Sequence, residues 1–218
     1  MNLIWAKFFI LYNNFISFFY QLWLRKAVKI KGFSVISNNC FAGHIYQDLK
    51  LEYATPTAGL YFIAQDYIKF LSNLKYYTNI ELQFSSKSRF ESENIKREQR
   101  QTYYPIGILD DIEIHFLHYN SNEEAKKKWE RRCKRINFKN LYIKMDDQNN
   151  CTYEDIVAFD KLPYERKVFF SAKDYPELKC VIYLPYYKNF SCVGNLHGEK
   201  YSFICQFNLA KWLNEGRI

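Results

Sequence analysis

A cysteine stands where the chain changes its period. Phe33-Ser34-Val35-Ile36-Ser37 is a short apolar run, Asn38-Asn39 follows, and Cys40 opens a segment with Ile45 and Leu49 four apart. This pattern reads as a buried strand running into a helix over Phe41 to Leu49. Open α/β sheets hold their ligands beyond the carboxyl ends of such strands. The partial positive charge of a helix N-terminus favours anions, which predicts a lowered pKa for the Cys40 thiol. Asn38 and Asn39 carry amide donors suited to a developing oxyanion. His44 lies four residues beyond Cys40 on the same helical face, placed as a base or an orienting group. A structural reading stays open beside this one: Asn-Asn as turn and cap, cysteine as a small buried apolar side chain.

A second cluster is Asp110, Asp111, His115, His118 and Tyr119. Ile106 to Leu109 and Ile112 to Tyr119 read as strands around an Asp110-Asp111 turn. Alternation puts Ile112, Ile114, Phe116 and His118 on one face and Glu113, His115, Leu117 and Tyr119 on the other. His118, near a strand end, meets Cys40 if the two strands are neighbours, and Asp110 or Asp111 can orient an imidazole. Aspartate and histidine are also metal ligands. His115 and His118 point to opposite faces, however, so no metal site is favoured, and a solvated turn is the plain reading of at least one aspartate.

The third cluster is basic. Ser121-x-x-Glu124 is a capping box that opens a helix through Arg135, with Ala125, Trp129 and Cys133 as an i, i+4 stripe. Arg131, Arg132 and Arg135, with Trp129 beside them, suit the phosphates of coenzyme A or a nucleotide sugar. Lys126 to Lys128 read as a solvated face. No RNP, KH, zinc-finger or helix-turn-helix signature is present, so nucleic acid is not an expected partner. His197 is a loop histidine with little context.

These residues need a scaffold, and the composition bounds it. The chain has 218 residues, 48% hydrophobic and 25% charged, which excludes a disordered protein and a multi-span membrane protein. Nineteen Tyr and 19 Phe can close a large core, while only 7 Gly leave little room for a Gly-rich phosphate loop. The net charge of +8 suits anionic partners. Six cysteines without a CxxC pair, and no cleavable secretion signal, predict reduced thiols in a cytoplasm. Residues 1–31 form an aromatic segment, uncharged from Phe8 to Leu24 and followed by Arg25, Lys26, Lys29 and Lys31. That pattern fits an interfacial helix on an anionic leaflet, or a helix packed on the domain or in a dimer seam.

Residues 32–218 read as one α/β domain. Further strands are expected at Gly59 to Ile63, Ile80 to Phe84, Leu141 to Met145, Lys167 to Ser171 and Cys180 to Leu184. Further helices are expected at Asp66 to Tyr77, Thr152 to about Asp160, and Asn208 to Leu213. Ser85 to Thr102 is polar and aperiodic, and reads as a mobile excursion. The alternation predicts a three-layer α/β/α sandwich with a mostly parallel central sheet, made mixed by the hairpin at Asp110-Asp111.

Five ordered blocks carry a resemblance. They are Ser37-Asn-Asn-Cys40-x-x-Gly43-x-Ile45-Tyr46; Thr55-Pro-Thr57-x-Gly59-Leu60-Tyr61-Phe62; Tyr104-Pro105-x-Gly107-x-Leu109-Asp110-Asp111-Ile112-x-Ile114-x-Phe116-Leu117-His118-Tyr119; Ala125-x-x-Lys128-Trp129-x-Arg131-Arg132-x-x-Arg135-Ile136-Asn137; and Phe159-Asp160-x-Leu162-Pro163-Tyr164-x-x-Lys167. Together they resemble the bacterial family called domain of unknown function 1919, often described as exopolysaccharide or capsule biosynthesis proteins, from about Gly32 to Leu213. The resemblance implies an α/β/α sandwich. The strand–Asn–Cys–helix entry is also distantly similar to polysaccharide-modifying acetyltransferases that bind coenzyme A, relatives in shape of the SGNH hydrolases. The chain lacks their Asp-x-x-His block near the C-terminus, so a Cys–His pairing here uses His44 or His118.

The resulting expectation is a cytoplasmic transferase, peripheral at the inner membrane face, that moves an acyl group from an acyl-coenzyme A to a sugar hydroxyl. Cys40 serves as nucleophile, His118 or His44 as base, Asn38 and Asn39 hold the oxyanion, and Arg131, Arg132 and Arg135 contact the donor. Two rivals stand beside it. One is a metal-dependent glycosyl or phospho-sugar transferase built on Asp110 and Asp111. The other is a non-catalytic assembly factor docking polysaccharide machinery.

Overall fold

The computed structural model describes residues 3–217, with side chains at 14–199 and 202–217. The strands in chain order are β1 (Ser34–Ser37), β2 (Gln83–Ser85), β3 (Ile106–Leu109), β4 (Ile112–His115), β5 (Leu141–Asp146), β6 (Lys167–Ser171) and β7 (Val181–Tyr183). The helices are α1 (Leu3–Ala27), α2 (Phe41–Leu49), α3 (Ala64–Ser72), α4 (Leu74–Tyr77), α5 (Glu91–Gln99), α6 (Asn122–Cys133), α7 (Tyr153–Lys161), α8 (Lys200–Gln206) and α9 (Leu209–Glu215).

Four strands form a parallel sheet in the order β1-β5-β6-β7. Parallel strands covered on both faces read as continuous apolar runs, and β1 and β6 do so. Alternate side chains divide between two cores. Ile36, Ile143, Met145 and Phe169 pack with Tyr67 and Phe70 of α3, Trp129 of α6 and Phe159 of α7. Val35, Tyr142, Val168 and Phe170 pack with Phe41 and Tyr46 of α2, Phe203 of α8 and Trp212 of α9. This is the expected α/β sandwich.

The hairpin does not join that sheet. It forms β3 and β4 of a separate antiparallel sheet in the order β2-β3-β4. Its turn residue Asp110 adopts φ 54°, a left-handed conformation that aspartate tolerates. The inward face of the hairpin, Leu109, Ile112, Ile114 and Phe116, closes one core. The segment expected as a strand at Gly59 to Ile63 contributes a single bridge, Tyr61 to His115. The helix expected from Asp66 to Tyr77 breaks at Asn73, whose φ of −140° separates α3 from α4.

Ser85 to Thr102 is not an irregular excursion, because it contains α5. No apolar stripe announces this helix. Polar anchors hold it instead: buried Glu93 accepts from Tyr61 Oη at 2.7 Å and from Lys96 Nζ at 2.6 Å. Just before it, buried Glu113 accepts from Ser88 Oγ and from the Arg89 N–H.

The second half of α1 docks on the domain. Leu24 is fully buried, Gln21 Nε2 donates to Asp48 Oδ1 at 2.9 Å, and Arg25 Nε donates to the Asp48 carbonyl at 2.7 Å. Phe15, Phe18, Phe19, Leu22 and Trp23 remain exposed. The aromatic side chains expected from Leu3 to Leu11 lie outside the described ones. Among the described residues, no helix is long and apolar enough to cross a membrane.

Gly107 of β3 is closely packed in this core. A Cβ there would lie 2.6 Å from Phe116 Cε2 and 2.7 Å from Leu82 Cδ1. Gly107→Ala is expected to lower stability by about 1–3 kcal/mol in urea denaturation, through overpacking. Adding Phe116→Leu to it should recover part of the loss. An unchanged midpoint for Gly107→Ala would contradict this packing.

Candidate functional site

A cleft of about 580 Å³ opens where β1 and β5 end. Its floor is a buried ion pair. Lys144 and Asp146 are two residues apart on β5, so they share a face, and both are fully buried. Lys144 Nζ pairs with Asp146 Oδ2. It also donates to Asn38 Oδ1 and Asn39 Oδ1, each at 3.2 Å. In return, Asn38 Nδ2 donates to Asp146 Oδ1 at 2.9 Å, and Asn39 Nδ2 to Asp146 Oδ2 at 2.8 Å. Burial pushes the Lys144 pKa down, and the Asp146 carboxylate opposes that shift. Both amides thus bind the pair, Asn38 fully buried and Asn39 part-buried at the cleft.

Asn39 leads into Cys40, the N-cap of α2. Cys40 is half-buried and lines the cleft. Its Sγ donates to the Leu60 carbonyl at 3.7 Å. Burial pushes the thiol pKa up, outweighing the nearby backbone N–H groups and Lys144. Desolvation thus overrides the lowering expected from the helix N-terminus. His118 is exposed in the same cleft, its backbone N–H held by the Gly59 carbonyl at 3.0 Å. His44 bonds Gln47 through Nδ1 at 3.1 Å. Its ring stacks on His197 at 3.8 Å and 9°. Cys40, His44, His118 and His197, spread over 157 positions of sequence (197 − 40), therefore meet at one site.

Helix α5 supplies a cationic rim through Lys96, Arg97 and Arg100 of the segment that follows it. Lys96 is paired with Glu93. Arg97 donates to the Tyr104 carbonyl at 3.1 Å and lies 5.0 Å over the Tyr104 ring, while its buried Nε has no hydrogen-bond partner among the described residues. Asn149, which also lines the cleft, adopts φ 59°, and its buried Nδ2 has no hydrogen-bond partner among the described residues. Asparagine tolerates this left-handed conformation. Neither α5 nor Asn149 was expected at the site; Asn149-Asn150 is a turn-forming pair that could have drawn attention to it.

The other expected residues fall elsewhere. Trp129 is a core side chain at 2% exposure, with no face toward a ligand. Arg131 is exposed and lines neither cavity. Arg135 pairs with Glu52. Arg132 is buried and lines a second, smaller cavity. Helical phase explains the division, since burying Trp129 turns Arg132 inward and its neighbours out. Asp111 lies on the hairpin turn, outside the cleft, where it accepts from Lys69 at 2.9 Å and Tyr77 at 2.6 Å. Asp110 accepts from Tyr76 at 2.9 Å. Among the described residues, no group of three His, Cys, Asp or Glu is placed to hold a metal ion.

The fold and this site define an α/β sandwich protein with a cationic, thiol- and imidazole-lined cleft at the carboxyl ends of its parallel strands. The chain belongs to the family of the domain of unknown function (DUF1919), which matches residues 11–214. The match begins inside α1, so the docked half of that helix belongs to the shared unit. The chain is 35% identical over 203 residues to an uncharacterized protein of Haemophilus influenzae, covering 90% of this chain and 91% of that one.

Removing one half of the floor pair should be costly. Lys144→Met leaves Asp146 buried without its partner, which is expected to cost about 3–5 kcal/mol in urea denaturation. Lys144→Met combined with Asp146→Leu should recover much of that loss. Equal destabilisation by the single and double variants would contradict the pairing.

Proposed function

We propose that this protein is an acyltransferase that accepts an acyl group from an acyl-coenzyme A and passes it to a hydroxyl of a sugar or polysaccharide precursor. One observation carries the reading: a single cleft gathers the Cys40 thiol, the His118 and His44 imidazoles and the Lys96, Arg97 and Arg100 cations. A donor with several phosphates suits such a rim, because guanidinium groups bind phosphate in bidentate geometry.

The chemistry runs in two balanced steps. Cys40 Sγ attacks the thioester carbonyl while His118 takes the thiol proton. The carbon–sulfur bond to coenzyme A breaks, and its thiolate takes that proton. The acceptor hydroxyl then attacks the Cys40 thioester as His118 takes the hydroxyl proton, and the released Cys40 sulfur recovers it. A thiol held protonated by burial fits a base-assisted attack rather than a stored thiolate. His44, fixed by Gln47 and stacked on His197, orients the acceptor.

The same reading puts the protein in the cytoplasm, at the inner face of the membrane. The exposed Phe15, Phe18, Phe19 and Trp23 of α1, with Arg25, Lys26, Lys29 and Lys31 beyond them, suit an anionic leaflet. A metal-dependent transfer on Asp110 and Asp111 has less support, because both carboxylates are taken up by Tyr76, Tyr77 and Lys69 outside the cleft.

Steady-state transfer from acetyl-coenzyme A to a panel of sugars tests the reading. Cys40→Ala and His118→Ala are expected to lower kcat at least about 100-fold. Arg97→Gln and Arg100→Gln should raise KM for the donor more than they lower kcat. Full activity in both alanine variants would overturn the mechanism.

A further inference from the structure

A second cavity, of about 270 Å³, adjoins the cleft and shares Cys40, His44 and His118 with it. Away from that shared wall it is lined by Tyr53, Lys128 and Arg132. Arg132, on α6, is 7% exposed. Its Nη1 donates to the Ala58 carbonyl at 3.1 Å and to Tyr119 Oη. Its Nε is buried and has no hydrogen-bond partner among the described residues. Its plane lies 4.6 Å over the Tyr53 ring.

No carboxylate pairs with this guanidinium among the described residues. Glu124, the acid whose charge it feels, is spent on Lys128 and on the Asn120 N–H. Guanidinium stays charged in proteins, so neutralisation by proton loss is not open to it. A buried charge without a counter-ion is costly. Tethering a loop carbonyl and a phenol needs only Nη1, and any neutral donor would serve. The Nε–Nη2 edge is the fork that binds carboxylates and phosphates in bidentate fashion, and the protein leaves it unused.

We propose that the Nε–Nη2 edge of Arg132 is an oxyanion-binding subsite, for a carboxylate or a phosphate monoester, separate from the cationic rim of α5. Tyr53 stacks on the guanidinium and fixes its plane. Lys128, at the edge of the same cavity, adds positive field. The subsite stands on this geometry alone. Its assignment to the acceptor, as a sugar bearing an acid group, rests on the transfer reading above. Two anion sites flanking one thiol would then hold donor and acceptor on either side of it.

The test follows the Arg132 Nε–H resonance by ¹H–¹⁵N NMR on the full chain, assigned through bonds. Inorganic phosphate and glucuronate are titrated separately. A saturable shift of that resonance is expected with at least one of them, and the tighter one identifies the oxyanion. Arg132→Lys should bind it at least about tenfold more weakly, measured by calorimetry. Cys40→Ala should keep the Arg132 shift, so failed transfer chemistry and a failed subsite give different results. If neither anion moves the Nε–H resonance, or if Arg132→Lys binds as the wild type does, the subsite is overturned. Should Arg132→Lys not fold, the wild-type titration still decides.

Discussion

A fully buried lysine–aspartate pair constrains this structure more than any other contact. Lys144 and Asp146 sit at the end of a strand covered on both faces, where neither charge can reach water. Attraction between them does not by itself repay desolvation, so the remaining lone pairs and protons need partners. Asn38 and Asn39 supply those partners from 105 to 108 positions away in sequence. Satisfying the pair therefore fixes the end of β1 against the end of β5. It also fixes the start of α2 and the position of Cys40. The aromatic rings of Phe41 and Phe170, 5.0 and 6.0 Å from the ammonium, close the floor from below.

The roof of the cleft depends on the same kind of interaction. Helix α5 has little apolar surface to bury, and the antiparallel sheet holds it through carboxylates. Glu93 meets Tyr61, and Tyr61 Oη lies 2.6 Å from Tyr104 Oη. Behind them, fully buried His115 stacks on Tyr61 and lies 3.0 Å from Glu113. Hydrogen bonds from His115, Ser88 and the Arg89 N–H outweigh burial and hold the Glu113 carboxyl below its usual range. A polar network of this kind fixes one geometry only when each member is satisfied. It carries the cations of α5 to the cleft edge, away from both apolar cores.

The apolar layers were legible in the sequence because burial on both faces writes itself as runs such as Ser34–Ser37 and Lys167–Ser171. The helix starts were legible because capping is local chemistry. Ser121 accepts from the Glu124 N–H, and Thr152 with Asp155 completes a full capping box. Cys40, His44 and His118 were legible for the same reason, each lying at or near the end of an element. Contacts between distant segments were not. Lys144 and Asp146 lie in or at the end of an apolar run, and sequence alone does not show that they pair or that two distant asparagines complete their hydrogen bonds. The bonds of Asn38 and Asn39 to that pair were missed for that reason. Arg131 and Arg135 were misplaced because a basic run does not reveal which phase of the helix turns inward, whereas the buried Trp129 does. Helix α5 escaped because it has no hydrophobic period of its own and is held by polar contacts to distant residues, Glu93 to Tyr61 and Glu113 to Ser88 and Arg89.

These constraints converge on one sulfur atom, placed at the junction of two cavities by a buried charge pair. The most direct measurement is intact-mass and peptide-mapping mass spectrometry after incubation with acetyl-coenzyme A in the absence of acceptor. The account predicts one acetyl group, on Cys40, released when an acceptor hydroxyl is added. An unmodified Cys40 in protein shown by calorimetry to bind the donor would contradict it.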